Sequence, residues 1–233
     1  MNLQYKIGKL FNGEGVVSAR RHVRRWFARP RFPLNRNRTI QTIDLDKFAK
    51  IRQRYHTGSV AERWSKFLDL ERWIDINLTR IRRTGLDAKL SQRVLDLGCG
   101  AGYFIYIAQL LGHDCVGLDT GEEPMFAEIT RLLGVQRVVW RIQPFVPLPS
   151  FDKKFNLITA YRICFNNHKR DDLWGVPEWE FFLDDLAKHL APKGRIWLEL
   201  NLEHDGSFYT PELRNLFVSR RAKIKGSRLL FNS

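Results

Sequence analysis

From residue 93 onward, the hydrophobic positions of the chain alternate between two patterns. Short continuous apolar runs, typical of buried strands, are separated by longer stretches with apolar residues at three- and four-residue spacing, typical of helices. We predict strands over residues 94–97, 113–118, 135–142, 155–160 and 195–200, and helices over residues 103–111, 122–133 and 179–190. Alternating strands and helices with short connections predict a parallel sheet that is covered by helices on both faces.

The patterns on either side of this region predict two additions to the sheet. Residues 59–83 carry an apolar stripe at helical spacing that stops at Gly85, so we expect a helix that packs over the sheet. Near the other end, residues 221–231 form two short segments around Gly226-Ser227. A two-residue connection that contains glycine favours a tight hairpin, which would add an antiparallel edge to the sheet.

The composition is that of a globular protein. The chain has 233 residues, 44% of them hydrophobic and 12% aromatic, which is enough for a core and excludes wholesale disorder. No apolar run approaches the roughly 20 residues of a membrane-spanning helix. The three cysteines lack CxxC spacing, which excludes a disulfide scaffold and a cysteine-based zinc site and fits a reducing compartment. Since the first residues also lack the apolar core of a secretory signal, we expect a cytoplasmic protein without a bound metal.

Basic charge is concentrated at the start of the chain. Residues 1–54 contain 14 Lys and Arg against three acidic residues, a net charge of +11, and the remaining 179 residues carry +3. Within this block, residues 16–38 combine an apolar stripe at helical spacing, arginines on the other faces and, from residue 30, a proline-containing segment that we expect to be a linker. Such a segment suits an anionic membrane surface, the phosphates of RNA, or simply a solvated arm. We therefore predict a basic arm at 1–54, a helical lead-in at 55–90 and the sheet domain at 91–233.

The candidate chemistry lies in a glycine loop after the first predicted strand. Gly98, Gly100 and Gly102 alternate there, which lets the backbone turn sharply and approach a ligand closely. The helix that follows directs free N–H groups toward that ligand. Asp119 ends the next predicted strand 21 residues after Gly98, where an acid is placed to bind the hydroxyls of a ribose. Loop and acid together predict a cofactor that contains ribose.

The details of the loop favour a cationic cofactor over a dinucleotide. A dinucleotide fingerprint has the spacing G-x-G-x-x-G, but here the third glycine comes one residue early and Tyr103 stands in its place. Asp96 lies just before the loop, where a carboxylate would repel a pyrophosphate but suits an ammonium group. The run 94–102, Val-Leu-Asp-Leu-Gly-Cys-Gly-Ala-Gly, resembles the first motif of the class I S-adenosylmethionine-dependent methyltransferases.

The resemblance to this family continues beyond the loop. Residues 117–119 look like its second motif, residues 151–160 resemble its fourth-strand region, and residues 183–200 are similar to its helix, Pro-x-Gly turn and fifth strand. The match covers about residues 90–202. It implies a Rossmann-like, doubly wound α/β fold with a mostly parallel sheet, the antiparallel C-terminal hairpin and the basic helical N-terminal extension being additions to it.

The resemblance also implies which residues hold the methionine part of S-adenosylmethionine. Gly98, Cys99 and Gly100 would line it, with Gly102 completing the turn, and Asp96 would position its amino group. From the residues themselves, Cys99 is more readily explained as a small packing residue than as a nucleophile.

Residues that follow the next strands would hold the nucleoside part. The resemblance implies that Asp119 binds the ribose and that Leu118 and Thr120 lie beside the adenine. After the third strand, where many members carry an acid, Gln143 is the candidate for the adenine amino group, because an amide both accepts and donates hydrogen bonds. After the fourth strand, Tyr161 would face the methyl group and the acceptor.

No catalytic residue follows from the sequence. His168 suits either a general base or an exposed loop histidine, and methyl transfer asks mainly that an acceptor be held in line with the sulfonium methyl group. The leading hypothesis is a methyltransferase acting on a small-molecule, lipid or glycan acceptor. The alternatives are an RNA methyltransferase that uses the basic arm, a non-catalytic scaffold and, least favoured by the glycine spacing, a nicotinamide-dependent reductase.

Overall fold

The computed structural model describes residues 34–55, 64–163, 173–203 and 205–232. The predicted basic helix before residue 30 lies outside the described residues, and so does His168. In the described parts, no helix combines the length and the apolar character needed to cross a membrane.

Two helices precede the lead-in. Helix α1, Arg36–Gln41, begins where the composition predicts a linker, because the Asn35 side chain accepts a hydrogen bond from the N–H of Asn37 and so caps the helix. Helix α2 spans Leu45–Tyr55 and buries two apolar residues, Phe48 and Ile51, against the main core. The last part of the predicted basic arm is therefore folded onto the sheet domain.

The predicted lead-in helix is interrupted near its start. A 3₁₀ turn covers Ser65–Leu68, and helix α3 spans Leu70–Thr84. Asp69 separates the two, since its carboxylate accepts from the N–H of Arg72 and caps α3. The predicted stop is confirmed, because Gly85 adopts the left-handed conformation (φ 73°) that ends the helix.

The sheet domain then alternates strands and helices as predicted. A second 3₁₀ turn, Leu86–Ala88, leads into it. The elements are β1 Arg93–Leu97, α4 Tyr103–Leu110, β2 Asp114–Asp119, α5 Pro124–Leu132, β3 Arg137–Val139, β4 Phe155–Ile163, α6 Val176–Lys188, β5 Leu190–Leu200, α7 Pro211–Ser219, β6 Lys223–Lys225 and β7 Arg228–Asn232.

The seven strands form one sheet in the order β3-β2-β1-β4-β5-β7-β6. The first five pair in parallel, and β7 pairs antiparallel with both β5 and β6. The chain order reverses between β1 and β4, so a crevice opens at the carboxyl ends of these strands. This topology confirms the predicted mostly parallel α/β sheet and its antiparallel C-terminal hairpin.

Some elements differ from the pattern-based prediction. The predicted Pro192-Lys193-Gly194 turn lies within β5, which begins at Leu190 and shifts register against β4 between Phe155 and Leu157. Strand β3 is only three residues long. Helix α7 was missed, although Thr210 caps it by accepting from the N–H of Leu213. These differences arise where caps and bulges, rather than hydrophobic periodicity, set the local structure.

The core consists of two layers, one on each face of the sheet. On the first face, α1 to α5 pack over side chains that include Val94 and Leu157. On the second face, α6 and α7 pack over Leu95, Ile158 and Leu198. Because successive strand residues point to opposite faces, Asp96, Thr159 and Tyr161 belong to the first face, beneath the lead-in helix α3.

Candidate functional site

The glycine loop between β1 and α4 is held against the end of β2. The N–H groups of Gly98 and Cys99 both donate to the carbonyl oxygen of Leu118, with N···O distances of 2.7 and 3.1 Å. Gly98, Gly100 and Gly102 have φ values of 67°, 53° and 77°, a region that favours glycine. The alternate glycines therefore exist because the backbone turns through left-handed conformations at each of them.

Gly102 is additionally required by a close contact at the start of α4. A Cβ atom at this position would lie 2.9 Å from Thr130 Cγ2 and 3.2 Å from Val135 Cγ2. The third glycine of the motif therefore serves the packing of α4 against the segment that runs from α5 to β3.

We expect Gly102→Ala to lower the free energy of unfolding by about 2–5 kcal/mol. A left-handed alanine costs roughly 1–2 kcal/mol, and overpacking against Thr130 and Val135 adds about 1–3 kcal/mol. Gly134→Ala is the matched control, because φ is +63° there and no described atom lies within 4 Å of the added Cβ. Urea denaturation compares the two variants. Equal losses would contradict the role assigned to the close contact.

Cys99 fills space beneath the loop. A Cβ on Gly117 would come within 2.6 Å of the Cys99 sulfur, so the thiol packs directly over the backbone of β2. Burial raises the pKa of the Cys99 thiol well above its usual value, which keeps it protonated. A protonated, buried thiol agrees with the packing role and not with a nucleophile.

Asp119 joins the glycine loop to the end of β2. The N–H of Gly100 donates to Asp119 Oδ2 with an N···O distance of 2.6 Å. Burial raises the pKa of the Asp119 carboxyl, while the Gly100 hydrogen bond and the nearby charge of Arg137 act in the opposite direction. The loop and the acid that the sequence predicts to share a ligand therefore line the same crevice.

Asp96 is a buried carboxyl group on β1. Only 3% of the residue is exposed, and Thr159 on β4 donates from Oγ1 to Asp96 Oδ1 at 2.7 Å. Burial raises the pKa of Asp96 to about 7, against the effects of the Thr159 hydrogen bond and the charge of Arg80. A carboxyl group in this state gains most from a neighbouring cation, which would stabilise its charged form.

The other predicted binding residues lie in different surroundings. Leu118 is 1% exposed and packs in the core of the second face, so only its backbone reaches the loop. Thr120 is half-buried, and its carbonyl accepts from Arg137 Nη2 at 3.1 Å. Gln143 is exposed after β3. Tyr161 is 8% exposed, and its ring lies edge-on to Phe104 beneath α3.

Of the predicted binding residues, the structure brings the glycine loop, Asp96 and Asp119 together. The ligand contacts of Leu118, Thr120, Gln143 and Tyr161 stay predictions.

Charged residues that sequence reasoning missed surround this crevice. Arg80 of α3 acts electrostatically on Asp96, and Arg137 of β3 acts on Asp119. Arg80 was missed because the apolar stripe of the lead-in helix predicts only hydrophobic packing. The polar residues Asn77 and Thr84 on the buried side of the same helix were a signal that polar side chains also lie on this side.

A curated relative of the chain is the ubiquinone biosynthesis O-methyltransferase of Proteus mirabilis. It is 27% identical over 166 residues, which cover 68% of this chain and 59% of the relative. The chain thus spans about three fifths of the curated relative that it matches. No family model matches the chain.

Several solved structures are similar to the chain at lower identity. The ribosomal protein L11 methylase of Lactobacillus delbrueckii subsp. bulgaricus has a TM-score of 0.43 and 16% identity, covering 66% of this chain and 76% of that chain. The amino pentose methyltransferase CalS10 of Micromonospora echinaspora has a TM-score of 0.40 and 24% identity, covering 55% and 50%. The glycopeptide N-methyltransferase MtfA has a TM-score of 0.40 and 18% identity, covering 56% and 54%. With TM-scores below 0.5, these likenesses leave the functional interpretation to the residues of the chain itself.

The strand order and the similarity to the Proteus enzyme confirm the predicted resemblance to the class I S-adenosylmethionine-dependent methyltransferases.

Proposed function

We propose that the chain binds S-adenosylmethionine and transfers its methyl group to an oxygen of a small-molecule or glycan acceptor. The observation that carries the proposal is the hydrogen bond from Gly100 to Asp119, which closes the glycine loop onto the acid at the end of β2. The N-terminal end of α4 and the Asp119 carboxylate therefore face the same crevice. A carboxylate in this position suits the hydroxyls of a ribose.

The charge of the site favours S-adenosylmethionine over a dinucleotide. Asp96 lies buried near the end of β1, where it pairs with Gly117 of β2, and Asp119 ends β2 two residues further along. Asp96 would repel the pyrophosphate of a nicotinamide cofactor, whereas the acid at the end of β2 suits the ribose of either cofactor. Together the two acids suit a ligand with an ammonium group, a sulfonium and a ribose, since each of these offers positive charge or hydrogen-bond donors.

The reaction itself asks little of the protein beyond alignment. An acceptor oxygen attacks the methyl carbon as the carbon–sulfur bond breaks, the bonding electrons pass to sulfur, and S-adenosylhomocysteine leaves. The acceptor proton is lost to water or to a base. Holding the two reactants in line supplies much of the acceleration. The name of the Proteus relative supports oxygen as the methylated atom. The proposed acceptors include lipids as well as small molecules and glycans.

Calorimetric titration tests the cofactor directly. We expect the purified protein to bind S-adenosylmethionine and S-adenosylhomocysteine and to melt at a higher temperature when either is present, because a ligand that binds only the native state stabilises it. NAD and NADP should give neither effect. Binding of a nicotinamide dinucleotide in place of both S-adenosyl ligands would overturn the proposal.

The basic block at the start of the chain supports a second, separate hypothesis. In its described part, Lys47, Lys50 and Arg52 are exposed on α2, which packs on the sheet domain by its other side. We propose that residues 1–54, with a net charge of +11, hold the enzyme at an anionic membrane surface.

Vesicle sedimentation at physiological salt measures this association. We expect full-length protein to pellet with vesicles that contain phosphatidylserine and to stay in solution with neutral vesicles, since each basic residue near the surface contributes about 1 kcal/mol. A chain lacking residues 1–33 is the comparison. Equal pelleting of both chains would contradict the hypothesis, and RNA affinity that falls steeply with salt would favour the RNA alternative instead.

A further inference from the structure

A second block of basic charge lies at the end of the chain. Residues 213–233 contain six Lys and Arg and no acidic residue, a net charge of +6. The value of +3 for the 179 residues after residue 54 conceals this block, because residues 55–212 carry −3. The block covers most of α7 and the hairpin of β6 and β7. It therefore lies at the edge of the sheet opposite to β3.

Three cations of the hairpin point to the same side of the sheet. In the register of β6 and β7, Lys225 pairs with Arg228 and Lys223 pairs with Leu230. Leu229 is buried in the core of the second face, so the residues on either side of it in β7, and the lysines opposite them, point to the first face. Strand β6 ends the sheet order, and no described strand lies beyond it.

The charges of the hairpin are not used within the described parts of the protein. Lys223 and Lys225 are exposed, and neither they nor Arg228 form an ion pair with another described residue. The acid opposite Arg228 in the register is Glu199, which is buried and lies 3.8 Å from Arg162 Nε. Exposed cations without acidic neighbours create a positive potential, which attracts anionic surfaces.

A further exposed cation lies between α7 and β6. Arg221 has a φ of 59° and occupies the position after a helix that glycine normally takes. Its N–H donates to the carbonyl of Val218, and the N–H of Ala222 donates to the carbonyl of Phe217, which are the two hydrogen bonds of a Schellman motif. A left-handed arginine is strained, so the backbone gives no reason for arginine here and the side chain is the feature to explain.

Exposed apolar side chains lie at both ends of this basic edge. Val218 near the end of α7 is 52% exposed, and Leu202 after β5 is 44% exposed. The exit of β5 lies beside the hairpin turn, because the N–H of Leu200 donates to the carbonyl of Ser227 at 2.8 Å. Cations flanked by apolar side chains match an anionic bilayer, where cations contact headgroups and apolar groups enter the acyl boundary. An RNA backbone would use the cations and leave the apolar side chains in water.

We propose that the hairpin edge, which comprises residues 221–228 with Val218 and Leu202, docks on an anionic lipid bilayer. The inference goes beyond the proposed methyl transfer and does not depend on it. Because β7 begins beside the carboxyl end of β5, docking brings the open end of the crevice toward the bilayer, from which a lipid acceptor could enter. The hairpin edge is also separate from the basic arm, whose helix α2 packs against α5.

Sedimentation with vesicles of phosphatidylcholine and phosphatidylserine at physiological salt tests the docking in the full-length protein. The double variant Lys223→Gln, Lys225→Gln should lose about tenfold or more in vesicle affinity, since each basic residue near the surface contributes about fivefold. The matched control is Lys153→Gln, Lys193→Gln, which changes two exposed lysines near the amino ends of β4 and β5. It should bind as wild type does.

Two other variants separate docking from folding and from RNA binding. Arg221→Gly removes a cation and places glycine where the backbone favours it, so it should melt at or above the temperature of the wild type and bind vesicles about fivefold more weakly. The double variant Val218→Gln, Leu202→Gln should weaken vesicle binding and leave the affinity for a single-stranded RNA unchanged.

The docking is overturned if wild-type protein does not pellet with the anionic vesicles, or if the Lys223/Lys225 variant pellets as much as wild type. An equal loss in the Lys153/Lys193 control would also overturn it, because any two lysines would then serve. If the apolar variant binds vesicles normally and the hairpin lysines are needed for RNA instead, the edge belongs to RNA. Binding of S-adenosylmethionine is measured separately, so a failure of the proposed function is distinguished from a failure of docking.

Discussion

Replacing Asp119 by alanine is expected to weaken S-adenosylhomocysteine binding roughly 100-fold, since charged hydrogen bonds to two ribose hydroxyls are worth about 1.5–3 kcal/mol each before compensation by water. The same change removes the acceptor of the Gly100 N–H and so releases the loop from β2. Asp119→Asn keeps an oxygen for Gly100 and should lose only about tenfold.

Asp114→Ala is the matched control for this series. Asp114 is an exposed acid at the opposite end of the same strand, where it pairs with Arg93 at 3.2 Å. Calorimetry should give it the affinity of the wild type. An unchanged dissociation constant in Asp119→Ala would show that the acid closes the loop without touching the cofactor.

Cofactor affinity is expected to fall as the pH drops below about 7. The pKa of the Asp96 carboxyl is raised to about 7 by burial, so in the unliganded protein this group takes up a proton near neutrality. A ligand ammonium group needs the carboxylate, and each pH unit below that pKa costs up to about tenfold in affinity. Above pH 7 the affinity should be flat until the ligand itself titrates. Calorimetry with S-adenosylhomocysteine between pH 5.5 and 8.5 measures the profile.

The same carboxyl group has the opposite effect on the stability of the unliganded protein. Because its folded pKa of about 7 exceeds its usual 3.8, the folded state loses stability as the pH rises from about 4 to 7, and the full cost, at most about 4 kcal/mol, remains above pH 7. Asp96→Asn keeps an acceptor for Thr159 and removes the charge. We expect the variant to resist urea better than the wild type at pH 8, to bind the cofactor at least tenfold more weakly, and to lose the pH dependence of binding.

A wild-type affinity that stays level from pH 5.5 to 8.5 would refute the proposed contact with Asp96. If Asp96→Asn were less stable than the wild type at pH 8, the charge would be stabilised by groups other than those described around it. Neither result would bear on the predicted contact of Asp119 with the ribose, which the Asp119 variants test separately.

The alternation of strands and helices and the glycine loop with its acid were predictable from sequence because each depends on neighbours along the chain. Apolar spacing identifies a strand or a helix within a few residues, and a left-handed turn demands glycine wherever it occurs. The predicted strands, the hairpin and the stop at Gly85 were confirmed for this reason. Asp119 was found by its distance in sequence from Gly98, which the strand–turn–helix unit sets.

Tertiary contacts decided what those local patterns left open. The segment expected to be a linker became α1, which lies against α3 with Arg36 pairing to Asp75 at 2.9 Å, and the predicted Pro-x-Gly turn became part of β5 through a bulge against β4. The hydrogen bond between Thr159 and Asp96, and the packing of Arg80 of α3 against the Tyr161 ring of β4, join residues from elements far apart in the chain. No rule of residue spacing predicts such contacts, since they depend on how the helices pack on the sheet. For this protein, local geometry therefore determined the crevice and its glycine motif, and packing determined the charges that surround it.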